Sequence, residues 1–305
     1  GEPLREWNGF GGFTADGREY VIRMPYDPVS GHRKPPLPWV NIMASERFGF
    51  LVSETGAAST WNGNSREHRL TPWHNDPVLD PHGEALHLRD DETGEWWSPA
   101  AGPSPASAAY EMRHGFGYSI SRHESHGLAQ EVCWFAHERE PVRCTRVRVT
   151  NTSGRARRLS LYGYARLVQG VLPEVSGRHV VSGRLEGDLA LTATNATAGE
   201  FAEGVAFSAV VAPDGARHHA TADREEYLGV GGAIATPVAV AKGAALSGSM
   251  GAGLDPCFAD QLEFTLAPGA SAECTFLFGE APSEAHVRAI VEALRAPGEI
   301  GRAHV

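Results

Sequence analysis

The residues best suited to chemistry sit in one stretch, WNGNSREHRLTPWHND, residues 61–76. It mixes Trp, Asn, Arg, His and Asp with Gly and Pro and follows neither a helical nor a strand period. Sugars are bound by such a mixture. Flat rings stack on the C–H face of a pyranose, while amide, carboxylate and guanidinium groups hold its hydroxyls. Trp61 and Trp73 supply rings; Asn62, Asn64, Arg66, Arg69, Asn75 and Asp76 supply polar groups. The competing reading is a long loop whose Asn, Asp and Arg side chains bond its own backbone, with both tryptophans covering a sheet.

Other chemistry is thinly represented. The chain has no G-x-S-x-G, H-E-x-x-H, P-loop or EF-hand pattern. GFGGF near the N-terminus is not set between a strand and a helix, so a tight turn among Phe side chains is expected rather than a phosphate cradle. The 14 histidines prompt a search for a metal site. His123 and His126 are three apart and point to opposite faces if in a strand, His218 and His219 are adjacent, and no group has zinc-ligand spacing. Neither metal nor cofactor is expected. Asp76, Asp80, Glu84, Asp223, Glu225, Glu226 and Asp255 are candidate carboxylates, but a glycosidase needs two placed across one bond, and spacing selects no pair. DREEYLG (residues 223–229) and GLDPC (253–257) read as loop anchors.

The elements that must position these residues are nearly all strands. With 35 Gly and 20 Pro, turn signals punctuate short apolar runs. YVIRM, WVNIMAS and RFGFLVSE come first, the last with Phe48, Phe50 and Val52 alternating. LHLRDDETGEWWS reads as a hairpin turning at residues 90–94. TRVRVTNTSGRARRLSLYGYARLV reads as the clearest hairpin, with Val147 and Val149 before a turn at 151–154 and Leu159 and Leu161 after it. DLALTAT and GVAFSAVV follow, then QLEFTLAP and AECTFLFG, joined through Pro268 and Gly269. Only the end changes character. Val287, Ile290, Val291 and Leu294 are at helical spacing, Ser283 is a fitting N-cap, Glu284 suits the positive end of the helix dipole, and Pro297 with Gly298 stops the helix. The expected fold is all-β, a large antiparallel super-sandwich with a short C-terminal helix. That helix either packs back on a sheet or opens a linker.

Composition sets outer limits. A chain of 305 residues with 42% apolar residues has material for one large β domain or two smaller ones. Its net charge of −10 argues against nucleic acid and against an anionic membrane surface. Cys133, Cys144, Cys257 and Cys274 are scattered within apolar runs and form no disulfide framework; with no signal-like N-terminus, a reducing, cytoplasmic setting is expected.

The blocks NGFGGFTADGREYVI, PWVNIMASERFGFLVSETGAASTWNGNSREHRLTPWHNDPVLDPHGEALHLRDDETGEWWSP, RHGFGYSISRHESHGLAQEV, DREEYLG and GAGLDPC occur in this order. Together, over residues 7–280, they resemble the N-terminal β-sandwich of glycoside hydrolase family 94. The likeness is to the branch whose members make or phosphorolyse β-1,2-glucan. The resemblance implies a galactose-mutarotase-like super-sandwich over residues 1–280 and the start of a helical linker over 281–305. In the family an (α/α)6 catalytic barrel follows, in which an Asp protonates the glycosidic oxygen while phosphate attacks the anomeric carbon. That barrel has no counterpart in these 305 residues, so no catalytic residue is assigned here. The implied role is non-catalytic: packing against the barrel, helping a homodimer form, and lining one edge of a glucan cleft. The implied setting is cytoplasmic, with the parent attached to the inner membrane through other domains. On that reading Trp61 and Trp73 are platforms for β-1,2-glucan or a related oligosaccharide, and Asn64, Arg66, Asn75 and Asp76 are polar contacts.

Three rivals make distinct demands. An independent carbohydrate-binding module needs affinity of its own. A scaffold needs both tryptophans buried and the loop's polar groups bonded internally. A mutarotase-like enzyme needs a His and a carboxylate in one cleft, for which His114, His123 and Glu124 are the candidates.

Overall fold

The alternating apolar runs form antiparallel sheets in the computed structural model, which describes residues 1–296 and 298–300. Its largest sheet has ten strands, running from Gly11–Phe13 at one edge to Val180–Arg184 at the other, with Val142–Asn151 and Ser271–Ala281 side by side near its middle. A five-stranded sheet contains Glu84–Asp90, Arg157–Arg166 and Pro256–Leu266. A three-stranded sheet contains Val40–Ala44, Phe48–Ser53 and Ala58–Asn62. All three feed one core. Met112, Val132 and Val147 come from the first, Leu88, Leu161 and Leu262 from the second, and Phe48, Phe50 and Val52 from the third. The period-two burial of Phe48, Phe50 and Val52 follows from the pleat, which sends alternate side chains to opposite faces.

The hairpin at residues 90–94 forms as expected, with Leu88 opposite Trp97 and Arg89 opposite Trp96. The apparent hairpin around residues 151–154 does not. Val142–Asn151 pairs with Leu128–Ala136 and Ser271–Ala281 in the ten-stranded sheet. Arg157–Arg166 pairs with Pro256–Leu266 and Glu84–Asp90 in the five-stranded sheet. The turn therefore crosses from one layer to the other. The Asn151 amide holds it, donating to Arg155 O at 2.7 Å and Leu266 O at 3.1 Å. The Pro268 and Gly269 turn makes a matching crossover, and the two are stitched by Gly269 N to Asn151 O and Asn151 N to Ala270 O, both 2.9 Å. Strands facing each other across a core alternate as paired strands do, so the pattern fits either arrangement.

The C-terminal helix is Glu284–Arg295, capped by Ser283 Oγ. It packs back on the sheet: Val287, Ile290, Val291 and Leu294 are buried with Phe207, Leu277 and Leu185. Pro297, expected to end it, lies outside the described residues. Three shorter helices also occur, Pro173–Ser176, Arg224–Leu228 and Val238–Lys242. DREEYLG is thus a capped helix rather than a loop. The Asp223 carboxylate accepts from Glu225 N, and Arg224 pairs with Asp255 at 2.7 Å. All four cysteines are free and buried.

Candidate functional site

The stretch of residues 61–76 begins at the end of a strand. Trp61 faces Gly49 across the three-stranded sheet, and its indole lies on that glycine. A Cβ on Gly49 would sit 2.5 Å from the indole Cζ2, so the close approach needs glycine. The loop that follows is tied down. Asn64 Oδ1 accepts from Arg66 N and Glu67 N, both at 2.9 Å, an Asx turn. Exposed Arg66 meets exposed Glu67 at 3.4 Å. Arg69 donates to Ser65 O and Val171 O. His68 is 1% exposed, and its Nε2 lies 2.8 Å from both oxygens of Glu280. Asn62 Nδ2 donates to the same carboxylate at 2.8 Å, and the His68 ring stacks on Phe201 at 4.4 Å.

Leu70 and Thr71 then dive into the core. Thr71 Oγ1 donates to Glu84 Oε1 at 2.5 Å and Thr60 Oγ1 donates to it at 2.8 Å, while Arg143 contacts the other Glu84 oxygen. All four of these side chains are buried. A charge this deep is tolerated because the carboxylate is paired with the guanidinium and takes both hydroxyls, although Arg143 Nε has no hydrogen-bond partner.

The chain resurfaces at Trp73. Trp73 is 36% exposed, and with His74, Asn75, Asp76 and Asp80 it lines a pocket of about 250 Å³. Leu37, Val40 and Leu51 add apolar lining. Asp76 Oδ1 accepts from Val78 N and Leu79 N, which hold its carboxyl below the usual carboxylate range. Asp80 Oδ2 accepts from Ser53 Oγ at 2.6 Å and Thr55 Oγ1 at 2.5 Å. Behind it, Glu54 accepts from Trp39 N at 2.8 Å, and burial pushes its carboxyl up to about 7, with the Asp80 charge adding to the rise.

The six expected contacts therefore divide. Trp73, Asn75 and Asp76 line one pocket. Trp61, Asn64 and Arg66 are not among its lining residues, and Asn64 and Arg66 are bonded within their own loop. Sequence reasoning assigned no role to His68 or Glu280, which lie 212 residues apart and meet only through the fold. It also left Leu37 and Val40 outside the site.

Acid–base chemistry finds no converging pair in the candidates. His114 bonds Ser119 Oγ and Trp39 O, and His123 bonds Ala109 O and Ser125 Oγ; burial pushes both imidazoles down to about 4. Glu124 follows His123 on strand Tyr118–Ser125 and is exposed on the opposite face. His218 meets Asp260 at 2.8 Å, but that carboxylate also accepts from Ser208 Oγ. Among the described residues no group of three or more His, Cys, Asp and Glu is placed to hold a metal ion. No helix among them is long and apolar enough to cross a membrane.

The layered antiparallel sheets define the class of the domain, a β super-sandwich. Residues 18–297 match the family model described as glycosyl hydrolase 94, supersandwich domain, and the chain belongs to that family. It is 40% identical to the cyclic β-(1,2)-glucan synthase NdvB of Rhizobium meliloti (strain 1021) over 97% of its own length and 10% of that protein's. Identity to the N,N'-diacetylchitobiose phosphorylase of Vibrio furnissii is 28%, over 88% of this chain and 33% of that one. The solabiose phosphorylase of Paenibacillus borealis is likewise 28% identical, over 96% and 37%. The chain thus spans about a tenth of the synthase and about a third of the phosphorylases. Among solved structures, a bacterial glucoamylase complexed with acarbose aligns with 88% of this chain and 37% of its own, at TM-score 0.44 and 10% identity.

Proposed function

We propose that the chain is a non-catalytic, carbohydrate-associated domain of a larger β-1,2-glucan-processing protein, a glycoside phosphorylase or a cyclic glucan synthase. Its tasks there are to pack against the catalytic (α/α)6 barrel, to help a homodimer form and to supply one edge of the glucan cleft. Residues 1–280 are the sandwich and 281–305 open the linker to the barrel, on the cytoplasmic side of the inner membrane. The similarity to the glucan synthase over almost the whole chain is the observation that carries this reading. The scattered, structurally engaged His and carboxylate groups support the non-catalytic part. The chain incubated with β-1,2-glucan and phosphate is expected to release no glucose 1-phosphate; steady release would overturn the reading.

A second reading, an independent carbohydrate-binding module, draws support from the open Trp73 pocket. It requires measurable binding of β-1,2-gluco-oligosaccharides by the isolated chain. Calorimetry without heat up to millimolar sugar would set it aside.

A further inference from the structure

The pocket beside Trp73 has the composition of a sugar site but little room. Its volume is about 250 Å³, below the roughly 300–1,000 Å³ of pockets that take drug-sized ligands. Its apolar lining includes Leu37, 54% exposed, and Val40, 40% exposed. Its polar lining includes two carboxylates four residues apart, Asp76 and Asp80. Each uses one oxygen to fix its own loop: Asp76 Oδ1 takes two backbone N–H groups and Asp80 Oδ2 takes two hydroxyls. Among the described residues the second oxygen of each takes no hydrogen bond, and neither carboxylate has a cationic partner within ion-pair distance. Two anchored acceptors beside an aromatic face match a ring with adjacent hydroxyls on its rim and C–H bonds on its face. Binding then costs little ordering entropy, because the loop is already held.

We propose that this pocket binds a single glucosyl residue of a β-linked glucan, with the ring on Trp73 and neighbouring hydroxyls donating to Asp76 and Asp80. Asp80 is thereby a binding residue, and the residues around Trp61 and Arg66 are not part of the subsite. The proposal rests on the carbohydrate reading above and sharpens it to one place, one ring and two carboxylates.

The test is calorimetric titration of the chain with glucose, sophorose and longer linear β-1,2-gluco-oligosaccharides, repeated for Trp73→Ala, Asp80→Asn and Trp61→Ala. The expected result is weak binding whose affinity stops rising at the disaccharide. Trp73→Ala and Asp80→Asn each weaken it about tenfold or more, and Trp61→Ala leaves it within about twofold. Because Asp80 also holds Ser53 and Thr55, thermal melts accompany that variant. If it is unfolded, quenching of the Trp73 fluorescence by sugar in the parent chain, absent in Trp73→Phe, decides instead. Affinity that climbs steadily with chain length, or binding that survives Trp73→Ala, would overturn this pocket while leaving the carbohydrate reading intact. No binding of any oligosaccharide by a folded chain would overturn the pocket and the independent-module reading, and leave the cleft-edge role, which needs the barrel as well, to its own test.

Discussion

Residues 61–69 and 72–80 share several residue types and have opposite fates. Each has one Trp, an Asn, an Asx turn and a histidine. In the first segment Trp61 is laid on Gly49, and His68 is clamped by Glu280 and Phe201. In the second, Trp73 and His74 stay exposed and two carboxylates keep an oxygen in reserve. The difference teaches that polar and aromatic composition alone does not mark a binding surface. What matters is whether the side chains have already found partners in the protein, since a satisfied group has little left to offer a ligand.

Substitutions can break this contrast, beginning with the largest effect. His68→Ala leaves the Glu280 carboxylate buried with only Asn62 as a partner, and a cost of about 3–5 kcal/mol is expected in urea unfolding. A loss below about 1 kcal/mol would show that the clamp is not structural. Glu54→Gln comes next. The folded-state value of Glu54, about 7, lies above its ordinary value of 4.5. The folded chain therefore holds a proton that the unfolded chain has released, and this group's contribution to stability is lost as pH rises from about 4.5 through 7. The variant, which cannot ionise, should exceed the parent in stability by about 3 kcal/mol at pH 8 and come close to it near pH 4.5. Melting curves at the two pH values check this. Gly49→Ala pushes Trp61 off its seat and should cost about 1–3 kcal/mol, with a change in the near-ultraviolet signal of tryptophan. Asn64→Ala removes two backbone hydrogen bonds at an exposed turn and should cost about 1 kcal/mol. Trp73→Ala should cost no more than about 1 kcal/mol, because at 36% exposure its ring is only partly packed. A loss of 2 kcal/mol there would place Trp73 with Trp61 as a packing residue and end the contrast.

Much of the fold was legible in residue order. Phe48, Phe50 and Val52 alternate and are buried; residues 90–94 form their hairpin turn; Ser283 caps the helix that buries Val287 and Leu294. These are local relations, decided within a turn or two of chain. The site was half legible. The richness of residues 61–76 in sugar-binding side chains was plain, and so was the alternative that the loop bonds itself. Residues 61–69 bond within the protein, as the second reading has it; the first stands as the proposal made for the pocket at Trp73.

Residue order by itself determined the period of strands such as Phe48–Ser53 and Val142–Asn151, the polar turns and the family likeness, because each depends on neighbours along the chain. Only the tertiary structure decided which alternating runs pair and which stack across the core. The crossover at residues 151–154 is the plainest case, since alternation is the same for both. It also decided that Glu280 would take up His68 and Asn62, and that Leu37 and Val40 would line one pocket with Trp73. Those outcomes depend on where distant segments arrive, and the free or spent state of a side chain is settled only on their arrival.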